Sequence, residues 1–418
     1  MKRIFALLVL VIAARAAAAP ARPEHAERAP LVLISLDAFR WDYCALHPDE
    51  TPNLRRLARE GVTARELIPV FPSNTFPNHY TIVTGLYPSH HGIINNHVFD
   101  PTLGEFFHYN HPTSTRDGRW WKGEPIWVTA IKQGQKSACA FWPGSEAEIA
   151  GVRPTFFKPF DYSVPFQQRL DEVIGWLTRP ANERPAIVAF YLEETNGAGH
   201  RYGYDSPELV AAVKLLDTRV GALAARLERE GIATNLIVVS DHGMTPCDAD
   251  RVLLLDDYLD LATVQIDFDE TCVGLRPLAG RDPSTRSGQA VTALMQALAK
   301  LPPQAKAYRA EELPARFHVD AANPRVPPVW IVPAEGWQVM RRSLYNLVRA
   351  SFLKGQHGYD PALTAMHGIF IAHGPAFKAG VVLEPVENVH LYNLLCATMG
   401  LKPAPNDGDD RLVKAALR

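Results

Sequence analysis

Three short apolar runs in this chain each end in residues able to bind ligands, and this pattern restricts the fold more than any other feature. Residues 31–35 run into Asp37, residues 186–192 into Glu193-Glu194-Thr195-Asn196, and residues 236–240 into Asp241-His242. A fourth run, residues 368–372, is equally apolar. Flat hydrophobicity over so few residues suits strands covered on both faces, the usual setting of parallel strands. Helical patterns lie between the runs. Pro52–Glu60 has Thr51 as N-cap, Pro52 at the first helical position and Gly61 as its stop. Phe166–Leu177 is a second, and residues 207–230 a third, with Leu209, Val213, Leu216, Val220 and Leu223 on one face. Strands alternating with helices predict an α/β three-layer sandwich around a mostly parallel sheet. In such sheets ligands collect beyond the carboxyl ends of the strands, where the three polar clusters fall.

Residues 246–350 break the alternation. They mix short strands (Val264–Phe268 and residues 329–332) with loops and a helix over residues 288–301. This predicts a smaller α+β subdomain inserted between a first core part, residues 30–245, and a last part, residues 351–412. Ahead of the core, Lys2 and Arg3 precede an apolar run and an alanine tract with A-x-A cleavage sites. That is the grammar of an export signal over residues 1–19, and the run is too short for a comfortable membrane span. The expected mature protein is exported, periplasmic or secreted, with no stable membrane insertion. Losing the leader takes the net charge from −2 to −5, so no basic excess supports binding of a nucleic-acid duplex. The composition, 47% hydrophobic and 21% charged, excludes disorder over most of the length. Five cysteines lack any C-x-x-C pair, against a zinc knuckle; Cys247 and Cys272 are the nearest candidates for a bridge, with buried unpaired thiols an equal alternative.

The polar clusters offer oxygen and nitrogen ligands without thiolates, which suits a catalytic rather than a structural zinc site. Asn196 and His200 are four apart and share a face if their segment is helical. His357 lies between glycines in Gly355-Gln356-His357-Gly358-Tyr359, a tight turn that presents the ring. Thr75 stands just before a short helix that has Pro77 in its first turn and ends near Gly85. Free N–H groups there favour anions and a developing alkoxide. A hydroxyl beside a metal is a candidate phosphoryl-transfer nucleophile; a plain helix cap is the alternative.

Taken together and in order, the motifs resemble the alkaline-phosphatase superfamily and, within it, the nucleotide pyrophosphatase/phosphodiesterase family. They are Leu36-Asp37-Ala38-Phe39-Arg40, Thr51-Pro52-Asn53-Leu54, Asn74-Thr75-Phe76-Pro77-Asn78-His79-Tyr80 and Thr84-Gly85-Leu86-Tyr87-Pro88. His91-Gly92-Ile93-Ile94-Asn95-Asn96, Ser240-Asp241-His242-Gly243-Met244 and the His357 turn complete the set. Sulfatases share some of these elements but need a modified Cys or Ser in a C/S-x-P-x-R context, absent at Thr75-Phe76-Pro77-Asn78. The resemblance implies two zinc ions, one held by Asp37, Asp241, His242 and the Thr75 hydroxyl, the other by position 196 with His200 and His357. It implies attack by Thr75 on a nucleotide or other small phosphodiester, a phospho-threonine intermediate, and Asn96 as donor to a phosphate oxygen. Phe76 and Tyr191 match aromatic positions lining the nucleoside pocket; core packing is the other reading of each.

One position departs from the pattern. Where the family has E-P-D-x-x-G-H, this chain reads Glu194-Thr195-Asn196-Gly197-Ala198-Gly199-His200. An amide oxygen can bind zinc but brings no charge, so the second site is expected to be weak. Glu193 or Glu194 is a possible stand-in. The alternatives to a nucleotide esterase are a non-catalytic nucleotide- or metal-binding relative and a phosphonate or phospholipid-headgroup hydrolase.

Overall fold

The computed structural model describes residues 28–278 and 288–418. The leader expected over residues 1–19 lies outside the described residues. The central sheet has eight strands: β1 (Leu31–Leu36), β2 (Val62–Ala64), β3 (Ser137–Ala140), β4 (Phe156–Lys158), β5 (Ile187–Leu192), β6 (Asn235–Val239), β7 (Phe370–His373) and β8 (Val381–Leu383). Their order across the sheet is β8-β2-β7-β6-β1-β5-β3-β4. Every residue of β1, β5 and β6 is buried, as their unbroken apolar sequences require. β1 pairs in parallel with β5 on one side and β6 on the other, Leu31 standing beside both Ile187 and Asn235. With that common start the three strands also end at one level. Asp37, the Glu193 segment and Asp241-His242 therefore leave the sheet at the same edge.

β7 corrects one expectation. It pairs antiparallel with both β6 and β2, not in parallel. The reason lies just upstream: the chain passes His357 at the carboxyl edge before entering the sheet, so its next strand runs away from that edge. Hydrophobicity alone carries no direction.

Helices α1 (Pro52–Glu60), α2 (Thr75–Thr84), α3 (Phe166–Leu177), α4 (Glu194–Tyr202) and α5 (Pro207–Arg229) join the strands. The start of α1 is also not as expected. Thr51 makes no side-chain cap; its hydroxyl donates to His47 O at 2.8 Å. The buried carboxylate of Asp217, from α5, accepts the Asn53 and Leu54 N–H groups at 3.3 and 2.7 Å instead. Beyond β6 the strands Val264–Phe268, Val273–Pro277, Val329–Pro333 and Ala305–Arg309 pair in that order as an antiparallel sheet. Helix α6 (Gly288–Leu298) covers it, three residues shorter than its pattern suggests, and Val264, Val273, Leu294, Val329 and Ile331 form a hydrophobic cluster separate from the main core. All five cysteines are unpaired, so Cys247 and Cys272 form no bridge. Among the described residues no helix is long and apolar enough to cross a membrane.

Candidate active site

Asp37 follows β1 and Asp241-His242 follow β6, both buried completely or nearly so. His242 Nε2 lies 3.0 Å from Asp241 Oδ2 and 3.5 Å from Asp37 Oδ1. Thr75 is the first residue of α2, so the helix begins one position earlier than its sequence suggests, and Thr75 Oγ1 lies 3.2 Å from the same Nε2. His242 Nδ1 donates to Gly243 O at 2.9 Å, so in a neutral ring Nε2 carries a lone pair. That lone pair would face two carboxylate oxygens, and neither Asp37 Oδ1 nor Asp241 Oδ2 has a hydrogen-bond partner. The arrangement calls for a positive charge among these atoms. Burial and the nearby Asp241 push the Asp37 carboxyl up to about 7. Burial works against ionisation of Asp241 too, but His242 and His79 outweigh it and hold Asp241 well below the usual carboxylate range. Among the described residues, Asp37, Asp241 and His242 form a buried group fit to hold a metal ion.

The second set comes from α4 and the His357 turn. His200 Nδ1 donates to Gly355 O at 2.9 Å and His357 Nδ1 to Ser73 O at 3.0 Å, which again leaves both Nε2 atoms as lone pairs. The two rings are 5.0 Å apart, and His357 stacks on His242 at 3.7 Å. Burial lowers His200 to about 4, and burial with the neighbouring imidazoles takes His357 well below its ordinary value, so both are neutral at pH 7. Asn196 Oδ1 is buried without a partner. Glu193 is held by Arg169 through two bonds of 2.9 and 3.1 Å; Glu194 is paired with Arg219, and its Oε2 is buried without a hydrogen-bond partner.

Asn96 Oδ1 accepts the Phe76 N–H at 3.0 Å, which leaves its NH₂ group as the free end beside Thr75. The Phe76 ring packs against Phe107, Tyr109 and Trp121. Tyr191, on β5, is buried, and its hydroxyl donates to Asp37 Oδ2 at 2.5 Å. Exposed aromatic rings nearby include Tyr109 and Tyr162.

His79 is a contributor that the sequence does not single out. Four residues after Thr75, it shares one face of α2 with it. Its Nδ1 lies 2.9 Å from Thr75 O and 3.3 Å from Asp241 Oδ2, and its Nε2 2.8 Å from Ser35 Oγ. Thr195 donates to Asp37 O and so ties the start of α4 to the end of β1.

Residues 31–360 match the family described as type I phosphodiesterase / nucleotide pyrophosphatase. The chain belongs to this family. Venom phosphodiesterase of Macrovipera lebetinus is 38% identical over 393 residues, 92% of this chain but 45% of its own length. The chain thus spans under half of that relative. Bis(5'-adenosyl)-triphosphatase enpp4 of Xenopus laevis is 35% identical over 92% of this chain and 81% of its own length. Among solved structures, murine ectonucleotide pyrophosphatase/phosphodiesterase 5 superposes with a TM-score of 0.85 at 35% identity, over 93% of this chain and all of the other. An inactive variant of that family member in complex with AMP is equally similar, with a TM-score of 0.85 at 36% identity over 94% of this chain and all of the other.

Proposed function

We propose that the protein is an exported, zinc-dependent phosphodiesterase that releases nucleoside 5′-monophosphates from nucleotides and their esters. The observation that carries this reading is the Thr75 hydroxyl at the start of α2, 3.2 Å from His242 Nε2 and beside two buried carboxylates whose free oxygens lack partners. Asp37, Asp241, His242 and Thr75 would hold one zinc ion, and Asn196, His200 and His357 the other. Bound there, zinc supplies Lewis acidity and lowers the pKa of a hydroxyl it touches. Thr75 Oγ1 bonds to phosphorus as the bond to the leaving oxygen breaks, and its hydroxyl proton passes to solvent. Water then cleaves the phospho-threonine and restores the hydroxyl. The Asn96 NH₂ donates to a phosphate oxygen where charge builds up. Phe76, with the exposed rings of Tyr109 and Tyr162, supplies flat apolar surface for a base. Tyr191, engaged with Asp37, supports the ligand rather than the base. Export is supported by the leader sequence and by a relative found in venom.

Asn196 favours one refinement, a chain whose second metal is weak. The test is zinc-reconstituted hydrolysis of a nitrophenyl ester of a nucleoside monophosphate. The expected result is measurable turnover by the parent, none by Thr75→Ala, and faster turnover with tighter zinc by Asn196→Asp. Activity only in Asn196→Asp identifies a chain disabled at its second metal. Inactivity of both, with zinc bound, removes the nucleotide-esterase assignment in favour of a binding protein or a headgroup hydrolase.

A further inference from the structure

Glu270 lies between the strands Val264–Phe268 and Val273–Pro277 with a φ of 91°, a conformation uncommon for any residue but glycine. Its backbone is fixed there by two hydrogen bonds with Val339, each 2.8 Å. The side chain points at the site already described. Glu270 Oε2 accepts from Gln356 Nε2 at 3.3 Å, and Gln356 Oε1 accepts the His357 N–H at 3.2 Å. Two residues on, Cys272 Sγ accepts from Asn95 at 3.4 Å, and Asn95 Oδ1 accepts the Asn96 N–H at 2.6 Å. This loop therefore adjoins both the His357 set and the phosphate donor. Tyr109 stands across from it: its N–H donates to Asn96 O at 3.0 Å, its ring packs on Phe76, and both Glu270 and Asp37 act on its phenol.

Several acids around the site are paired with guanidinium groups. Arg169 is paired with Glu193, Arg219 with Glu194, Arg341 with Asp269 and Arg325 with Asp100. Among the described residues Glu270 makes no such ion pair. In the reading proposed above, on which this inference rests, Thr75 displaces the leaving group in line. The leaving group then departs on the side of Asn196, His200 and His357, a set with no carboxylate of its own. Burial pushes the Glu270 carboxyl up to about 7, so above that pH the anion next to this set, reached through Gln356, is Glu270. A leaving group that carries further phosphates brings its charge towards that carboxylate, whereas an alcohol or phenol brings none.

We infer that Glu270 is a specificity-determining residue that disfavours polyphosphate leaving groups and favours diesters whose leaving group carries no phosphate. The test compares kcat/KM for a nucleoside triphosphate with that for a nitrophenyl ester of a nucleoside monophosphate at about pH 8.5, where the Glu270 carboxyl is ionised, using zinc-loaded parent, Glu270→Gln and Glu270→Asp. Glu270→Gln is expected to act about fivefold to tenfold faster on the triphosphate, as removal of one nearby charge at intermediate dielectric implies. The nitrophenyl ester should change less than about twofold, within the scatter of a distant uncharged contact. Glu270→Asp keeps the charge and should keep the parent's preference. Equal change on the two substrates, or no change on either, overturns the inference, provided the parent cleaves the nitrophenyl ester and Thr75→Ala does not. Failure of both the parent and Asn196→Asp on the two substrates overturns the phosphodiesterase reading, and the inference with it; if only Asn196→Asp is active, the Glu270 comparison is made in that background and decides the inference there. Matching thermal transitions of the three proteins ensure that altered selectivity is not a folding defect.

Discussion

The Tyr191 hydroxyl donates to Asp37 Oδ2 at 2.5 Å, while Asp37 Oδ1 is left without a partner. One oxygen is thus fixed by the protein and the other is free for a cation, the division of labour expected of groups that support a metal ligand. Tyr191→Phe should therefore weaken zinc binding by about tenfold, the lower end for loss of such a partner. Calorimetric titration of the metal-free protein would measure this, and KM for the nucleoside ester should move much less; a raised KM with unchanged zinc affinity would instead make Tyr191 a wall of the base pocket. Asp37, Asp241 and His242 can be read from sequence because apolar runs ending in polar clusters reveal strand ends. His79 cannot. It sits inside the quoted motif Asn78-His79-Tyr80, but its worth depends on Ser35, 44 residues earlier, and on Asp241. The ion pairs of Glu193 and Glu194 are equally hidden, because Arg169 and Arg219 reach them only once α3 and α5 are folded beside α4.

Helix α1 has the bounds its sequence predicts, Pro52–Glu60, yet the group that caps it comes from elsewhere. Asp217 also accepts from Asn53 Nδ2 at 2.8 Å, so one buried carboxylate serves three donors of α1. The Thr-Pro-Asn segment is thereby a joint between α1 and α5. Asp217→Ala would strand these donors and should lower the unfolding free energy by about 2–3 kcal/mol, as for loss of a charged hydrogen bond with its partners left buried. Urea denaturation with an unchanged slope would check it. Local pattern locates α1, α3 and α5 because periodicity and stop residues act within a few positions. The direction of β7 is beyond such signals, since it depends on where the chain enters the sheet.

At the scale of the whole molecule, Arg325, between the strands Ala305–Arg309 and Val329–Pro333, ties this part of the chain to the main core. Its guanidinium is buried, 2.7 Å from Asp100 Oδ2, and it donates to the carbonyls of Gly92, Trp120 and Arg119 while lying over the Trp120 ring. Burial alone would raise the Asp100 carboxyl, but Arg325 together with the Thr102 and Leu103 N–H groups outweighs it and holds the group below its usual range. A depressed folded pKa stabilises above the unfolded value of about 4 and is lost as the pH falls through the folded one. Arg325→Met should cost about 3–5 kcal/mol at pH 7, the toll of leaving a buried charge unpaired. The gap between variant and parent in thermal unfolding should narrow towards pH 3. The antiparallel β7 has another consequence, in the order of synthesis. It fills the centre of the sheet, between β6 and β2, although it is made after both of them and after His357. Until residue 373 has emerged, β6 keeps an unpaired apolar edge, which is a template for pairing with other chains. A nascent chain halted there has every proposed metal ligand but no closed sheet to hold them. Such a chain would be sticky before it could be active, so completion of β7 separates aggregation-prone intermediates from a molecule competent to take up the proposed metals.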